Sequence, residues 1–203
     1  FKVANGVSFN GSSSYETTII GMWNATISQS GSGTLNVIDC DINSIYAVSG
    51  TCNLYNSIVH NSADIKGNVS GCTLETGLDF YPGSPVGKCV GNKIEGSNLT
   101  VLSGGYAEIS NNFISPGFLY LSNLKTTAGG ANYISNNTIS SSSNHGIRTP
   151  SSSASYNNTI ICNNYIRSSN GNYYAISYNG GNLLGSNWLI ANNYYYGFNS
   201  LVS

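Results

Sequence analysis

The chain has 203 residues, a formal net charge of -1 and only 7% charged side chains. Asn, Ser and Gly occupy 30, 33 and 24 positions, and all three disfavour helix interiors. The scarcity of basic residues argues against nucleic acid as a partner, because such binding needs a basic face. No stretch approaches the roughly 18 apolar residues of a membrane span, and the 40% apolar content argues against disorder. We therefore expect one folded β domain.

A six-residue phrase recurs eight times along the chain. It opens on an apolar or small residue, carries Asn or Cys at its fourth position, and closes on an apolar residue or Tyr. Repetition of this kind indicates a solenoid, in which every repeat places the same short strand above the last. The fourth positions of the phrases are Cys40, Asn56, Cys72, Asn92, Asn112, Asn137, Asn164 and Asn193.

The spacing of the fourth positions grows from 16 residues to 29 along the chain. A right-handed parallel β-helix explains this, since the outward turns of a coil can lengthen while its strand stays in register. Asn suits a stacked corner because it tolerates left-handed backbone angles and its amide can hydrogen-bond along the stack. We expect an all-β, right-handed parallel β-helix over residues 37–203, with residues 1–36 as a cap or coupling segment. An antiparallel sandwich is the alternative, but it does not explain the phrase.

All eight acidic residues precede position 110, so a carboxylate mechanism would have to use the N-terminal half. Asp39 and Asp41 flank Cys40 at the spacing that places two strand residues on one side. With Asp79 they are the candidate catalytic residues of a polysaccharide-degrading enzyme, a hydrolase or lyase. A solvated pair beside a corner is the plainer interpretation, and the two histidines, 85 residues apart, do not suggest a metal site or a cofactor.

The C-terminal half combines many Tyr residues with Asn and few charges. Aromatic faces beside amides and hydroxyls suit sugar rings, and the same mixture serves protein recognition; alternatively, the aromatic side chains cover the terminal coil or an oligomer interface. His145 and Arg148, in a loop-like insertion, could contact an anionic sugar. The predicted ligand-binding residues are Tyr173, Tyr174, Tyr178, Trp188, Tyr194, Tyr195, Tyr196, His145 and Arg148.

Cysteines and glycosylation sequons bear on location. Cys40 and Cys72 would lie two coils apart, beyond disulfide reach, so buried free thiols are expected, with a bond between other cysteines as the alternative. Six Asn-x-Ser/Thr sequons, the first at Asn10 and the last at Asn157, would accept glycans in a secreting host. Composition favours an extracellular or virion-surface protein.

At its repeated phrases the chain resembles the parallel β-helix domains of the pectin-lyase-like superfamily, in particular those of viral tailspikes and tail fibres. The resemblance spans about residues 37–195 and implies a glycan-binding or receptor-binding part, an appendage subunit, or a polysaccharide lyase or hydrolase. Lyases of that group typically use clustered Asp for calcium with Arg or Lys as base, and the sequence has no matching cluster. We expect a non-catalytic protein that binds a cell-surface glycan or receptor as a trimer or within an appendage; a self-assembling scaffold is a further alternative.

Overall fold

A computed structural model describes residues 8–10, 15–102, 104–122, 130–142, 144–149, 158–177 and 187–202. Within these ranges the regular structure consists of strands, without a helix, and the paired strands are parallel. Because each strand pairs with the equivalent strand one coil away, the chain winds into a solenoid. The predicted parallel β-helix is confirmed.

The strands, in chain order, are β1 Ser8–Asn10, β2 Thr17–Ile20, β3 Thr26–Ser28, β4 Thr34–Ile38, β5 Asp41–Tyr55, β6 Ile58–Ser70, β7 Thr73–Leu74, β8 Leu78–Pro82, β9 Val86–Val90, β10 Lys93–Ile94, β11 Leu99–Val101, β12 Tyr106–Ser110, β13 Phe113–Ile114, β14 Leu119–Leu121, β15 Asn132–Ser135, β16 Thr138–Ser141, β17 Ile147–Arg148, β18 Thr159–Cys162, β19 Tyr165–Ser168, β20 Ile176–Ser177, β21 Trp188–Ala191 and β22 Tyr194–Tyr196.

The later coils have three faces. Face 1 stacks β9, β12, β15, β18 and β21. Face 2 stacks β7, β10, β13, β16, β19 and β22, and face 3 stacks β8, β11, β14, β17 and β20. The long strands β5 and β6 run along all three faces, and β2, β3 and β4 stack on β5 or on each other. The parallel stack therefore includes strands that precede residue 37.

The hydrophobic core is a set of columns formed by equivalent apolar residues. The opening residue of the phrase forms one column on face 1, in which Ile109, Ile134 and Ile161 are fully buried. The closing residue forms another on face 2, in which Ile139 and Ile166 are fully buried. Strand alternation directs the residues next to these core positions outwards, so each coil contributes few core residues and depends on its neighbours.

Two adjacent residues form the corner between faces 1 and 2, and each has a different role. The first has a positive φ, which Asn, Asp and Gly tolerate, and the second points inwards. Our sequence interpretation assigned both roles to one residue, and in the second coil it chose the wrong one, Asn56. Asn56 is exposed with φ 48°. Ser57 is the buried corner residue, and its hydroxyl accepts a hydrogen bond from the Cys40 N–H. The inward corner residues are Met22, Cys40, Ser57, Cys72, Asn92, Asn112, Asn137, Asn164 and Asn193.

The five inward asparagines form a directional ladder. The backbone N–H and the side-chain Nδ2 of Asn112 both donate to Oδ1 of Asn137, each at 3.0 Å, and Nδ2 of Asn112 also donates to the carbonyl of Cys89. The same pattern joins Asn137 to Asn164 across 27 residues and Asn164 to Asn193 across 29 residues. From Asn92 to Asn164 each backbone N–H thus donates to the Oδ1 of the next inward Asn on the C-terminal side, and the corner stays in register as the turns lengthen.

The five cysteines are free thiols, and four of them are buried. Cys40 and Cys72 occupy the inward corner column, where the sulfur of each lies against backbone carbonyls. Burial raises the pKa of Cys52 and Cys89 to about 12 and that of Cys72 to about 11. These thiols are therefore protonated at neutral pH and chemically inert in the folded protein.

Candidate glycan-binding groove

An open groove of about 490 Å³ lies on face 2 near the C-terminal end of the stack. Its size falls within the range of small-ligand sites. The groove is lined by Pro116, Ser140, Ser141, Ser142, Tyr165, Arg167, Ser168, Ser169 and Tyr196. It therefore combines two aromatic rings, one guanidinium group and several hydroxyl groups.

Strand alternation on β16, β19 and β22 explains why these side chains meet. Ser140, Arg167 and Tyr196 occupy equivalent positions on three successive coils, so their side chains form one outward column. Tyr165 and Tyr194 belong to the neighbouring outward column. Tyr165, Tyr194 and Tyr196 are 42%, 59% and 66% exposed, so the rings face solvent along the groove.

The aromatic rings of Tyr165 and Tyr194 stack on each other. Their centroids are 5.2 Å apart and their planes are 9° from parallel. This distance is close to the separation of neighbouring strands, about 4.8 Å, so the stack follows directly from placing Tyr at the same position of successive coils. Tyr165, which lines the groove, therefore has the ring of Tyr194 stacked against it from the next coil.

Arg167 adds a donor group to the groove. Its Nε donates to the Ser140 hydroxyl at 3.0 Å, which holds the guanidinium across two coils and leaves the terminal nitrogens available. Among the described residues, Arg167 makes no ion pair. The groove therefore presents hydrogen-bond donors beside aromatic faces, and sequence reasoning did not select Tyr165 or Arg167, because their neighbours lie 27 to 29 residues away along the chain.

The structure separates the ligand-binding residues expected from the sequence. Tyr194 and Tyr196 point outwards beside the groove, whereas Tyr195 stacks above the core residue Ile166 and Trp188 packs partly buried against the core. Tyr178 lies outside the described residues. The C-terminal aromatic residues thus divide between the side and the end of the solenoid.

His145 lies in a second aromatic cluster, apart from the groove. Its ring stacks on Tyr174, and Tyr173 approaches it edge-on at 5.2 Å. Burial lowers the pKa of His145, and its Nδ1 accepts a hydrogen bond from the Tyr174 N–H at 3.0 Å. These half-buried rings contact one another, so the cluster braces the turn that leads into β17 and β20.

Arg148 lies on face 3, with its guanidinium carbon 5.7 Å from the ring centre of Tyr120. Both residues occupy one outward column, because Tyr120 and Arg148 pair across successive coils. The Arg148 Nε is buried and finds no hydrogen-bond partner among the described residues. A cation–π contact accounts for the position of this side chain.

Asp41 belongs to a three-residue ion cluster that sequence analysis missed. The Nε2 of His60 lies 2.6 Å from Asp41, and the Nδ1 lies 2.8 Å from Glu75. Hydrogen bonds to Glu75 and Asp41 raise the pKa of His60, and the imidazole joins three coils through these two carboxylates. In the register of the structure, His60 and Glu75 each follow a closing core residue, Val59 and Leu74; the phrase read from the sequence was shifted by one residue in the second coil, so it did not align them. Asp39, by contrast, is the exposed positive-φ corner residue.

Asp79 lies on face 3 beside Asp64, its partner on the preceding coil. The two carboxylates line a polar groove of about 220 Å³ with Ser62, Thr76 and Thr100 among its walls. Partial burial, together with the charge of Asp79, raises the pKa of Asp64. Asp64 was not among the residues expected from the sequence.

Within the described ranges, no group of three or more His, Cys, Asp or Glu side chains could hold a metal ion. No described helix is long and apolar enough to cross a membrane. Comparison of the chain with models of protein families, with curated proteins and with solved structures finds no match.

Proposed function

We propose that this protein is an extracellular or virion-surface β-helix that binds a cell-surface glycan in the face 2 groove without catalysis. One observation carries the proposal: the groove brings Tyr165, Tyr196 and Arg167 together with serine hydroxyls on a rigid, stacked frame. Aromatic rings pack against the apolar C–H faces of sugars, and guanidinium and hydroxyl groups form hydrogen bonds with the sugar oxygen atoms. Assembly into a trimer or an appendage, as in the tailspikes that the repeats resemble, belongs to the same proposal.

A glycan array that contains neutral and acidic cell-surface oligosaccharides tests this function. The wild-type protein is compared with Tyr196→Ser and Arg167→Gln. Tyr133→Ser is the matched control, because Tyr133 is 48% exposed but lies on face 1. We expect about tenfold weaker binding for the two groove variants, the effect of losing a stacking or charged contact of about 1.4 kcal/mol, and unchanged binding for the control.

Three results would contradict the proposal: the wild type binds no glycan, the groove variants bind as tightly as the wild type, or the control variant loses as much affinity as the groove variants.

A fourth variant separates the two aromatic regions. Tyr173→Ser alters the His145 cluster and leaves the groove intact, so it should retain glycan binding; loss in this variant alone would move the site away from the groove.

The Asp64 and Asp79 pair supports polysaccharide hydrolysis as a second candidate function. Neighbouring strands place the two backbones about 4.8 Å apart, which brings the carboxylates close to the spacing of about 5–5.5 Å used by retaining glycosidases. The raised pKa of Asp64 would suit a general acid, with Asp79 beside it in the position of a nucleophile. Incubation with a polysaccharide panel tests it: shortening of a chain by the wild type and its loss in Asp79→Asn would support an enzyme, whereas intact substrates would reject it.

A further inference from the structure

Arg167 is a cation that no carboxylate of the chain neutralises. All eight acidic residues precede position 110 and lie in the described ranges, and none of them forms an ion pair with Arg167. In the outward column of Arg167 the nearest carboxylate is that of Glu95, three coils away, and Glu95 is paired with Lys93 at 2.8 Å. Three coils correspond to about 14 Å, which exceeds the Debye length of about 8 Å at physiological salt. The charge of Arg167 is therefore available to a ligand in the groove.

The hydroxyl groups around Arg167 differ in what they offer a ligand. The hydroxyls of Ser141, Ser168 and Ser169 donate to backbone carbonyl groups. Ser140 instead accepts the Nε–H of Arg167, and a hydroxyl group that accepts in this way keeps its own hydrogen to donate. The terminal nitrogens of Arg167 and the Ser140 hydroxyl therefore form one cluster of donors, and the residues that line the groove include no carboxylate.

An aromatic ring lies beside this donor cluster. Ser140, Arg167 and Tyr196 occupy equivalent positions on three successive coils, so the side chains of Arg167 and Tyr196 leave the sheet about 4.8 Å apart. A sugar ring packed against Tyr196 would therefore carry a ring substituent within reach of the guanidinium group. A guanidinium group binds the paired oxygen atoms of a carboxylate or phosphate group by two parallel hydrogen bonds, and a sulfate group presents oxygen atoms of the same kind.

We propose that the groove selects an acidic glycan, in which a sugar packs against Tyr196 and places a carboxylate, sulfate or phosphate group on Arg167 and the Ser140 hydroxyl. This preference rests on the proposed glycan binding in the face 2 groove and adds the charge of the glycan to it. A neutral sugar offers only uncharged oxygen atoms, which form weaker hydrogen bonds with a guanidinium group than an anion does. Arg167 thus decides the class of glycan, whereas Tyr196 binds sugars of either class.

Matched pairs of glycans that differ only in the anionic group test this preference. The pairs are sialyllactose and its methyl ester, sulfated and unsulfated N-acetyllactosamine, and phosphorylated and unphosphorylated mannotriose, all included in the glycan array. Isothermal titration then compares the two members of each pair. We expect the acidic member of at least one pair to bind the wild type about tenfold more tightly than its neutral partner, for the gain of a hydrogen bond to a charged group. The pair that shows the difference identifies the anionic group, and added salt should weaken the binding of its acidic member.

Three protein variants assign the preference to Arg167. Arg167→Gln should reduce the ratio of acidic to neutral affinity to about one, whereas Tyr196→Ser should weaken the binding of both members and keep the ratio. Lys88→Gln is the control, because it removes a positive charge from an exposed side chain on face 1, and it should leave both affinities unchanged. A ratio that survives in Arg167→Gln, or that is lost in Lys88→Gln, overturns the assignment.

The outcomes for the wild type separate this preference from the proposed function. If no acidic member binds more tightly than its neutral partner while other glycans on the array are bound, the preference is overturned and glycan binding stands. If the wild type binds no glycan on the array, both the preference and the proposed function are overturned.

Discussion

Replacement of Asn137 by Leu is the sharpest test of the ladder as a source of stability. The side chain is 1% exposed and makes four hydrogen bonds. Its Oδ1 accepts the N–H and Nδ2 of Asn112, and its Nδ2 donates to the carbonyl of Ile109 and to Oδ1 of Asn164. Leu has nearly the same size, so the substitution removes the polar atoms without opening a large cavity.

The expected cost follows from the groups that lose a partner. Both donors of Asn112 lose their shared acceptor, and the Ile109 carbonyl loses the amide that contacts it. Each buried polar group left without a partner costs about 1–3 kcal/mol. Burial of the apolar Leu side chain offsets part of this loss. We expect the free energy of unfolding to fall by about 4 kcal/mol, a large share of the about 5–15 kcal/mol typical of a domain.

Urea unfolding followed by circular dichroism measures this loss. With a slope of about 2 kcal/mol per M, the midpoint should fall by about 2 M. Asn136→Gly is the matched control, because Asn136 is the adjacent exposed corner residue with φ 57°, a conformation that Gly adopts freely. This control should change stability by less than about 0.5 kcal/mol. A loss below about 1 kcal/mol in Asn137→Leu would refute the argument that the ladder stabilises the stack.

Three further predictions concern titration, thiols and glycines. An NMR titration should give His60 a pKa above the ordinary value of 6.5 and His145 a pKa below it. The stability that His60 contributes is then complete below pH 6.5 and is lost as the pH rises through the folded-state pKa. If the stability of a His60→Gln variant shows the same pH dependence, the bridge between Asp41 and Glu75 is contradicted. A thiol reagent added to the folded protein should modify only Cys162, the one partly exposed cysteine. Unfolding in urea should make the other four cysteines reactive. Rapid labelling of all five thiols in the folded protein would contradict the burial of these four side chains. Gly91 has a φ of +68° and open space where a Cβ would lie, so Gly91→Asn should change the free energy of unfolding by less than about 0.5 kcal/mol. Gly96→Ala would place Cβ 2.2 Å from the Glu75 carbonyl oxygen and should lower the urea midpoint. Equal midpoints for the two variants would contradict the close packing of coils.

The repeated six-residue phrase is sufficient to predict much of the structure of each coil. The opening and closing apolar residues predicted the two core columns, and a repeated inward Asn predicted hydrogen bonds between coils, as at Asn112 and Asn137. These inferences succeed because a stacked solenoid repeats one local environment, so a residue type that recurs at a fixed place reports that environment. The misplaced register at Asn56 shows the limit: neighbouring Asn and Ser residues are both compatible with a corner, and only the backbone angle separates them.

The sequence by itself determined the fold class and the widening of the coils. Only the tertiary structure decided which side chains meet: Tyr165 with Tyr196 and Arg167 in the groove, and His60 between two carboxylates. The physical reason is that neighbours across a coil boundary are 15 to 29 residues apart along the chain, and that separation changes from coil to coil. Turn length sets that separation, so contacts across coils can be assigned only when the register of each coil is fixed, and the phrase misplaced that register at Asn56.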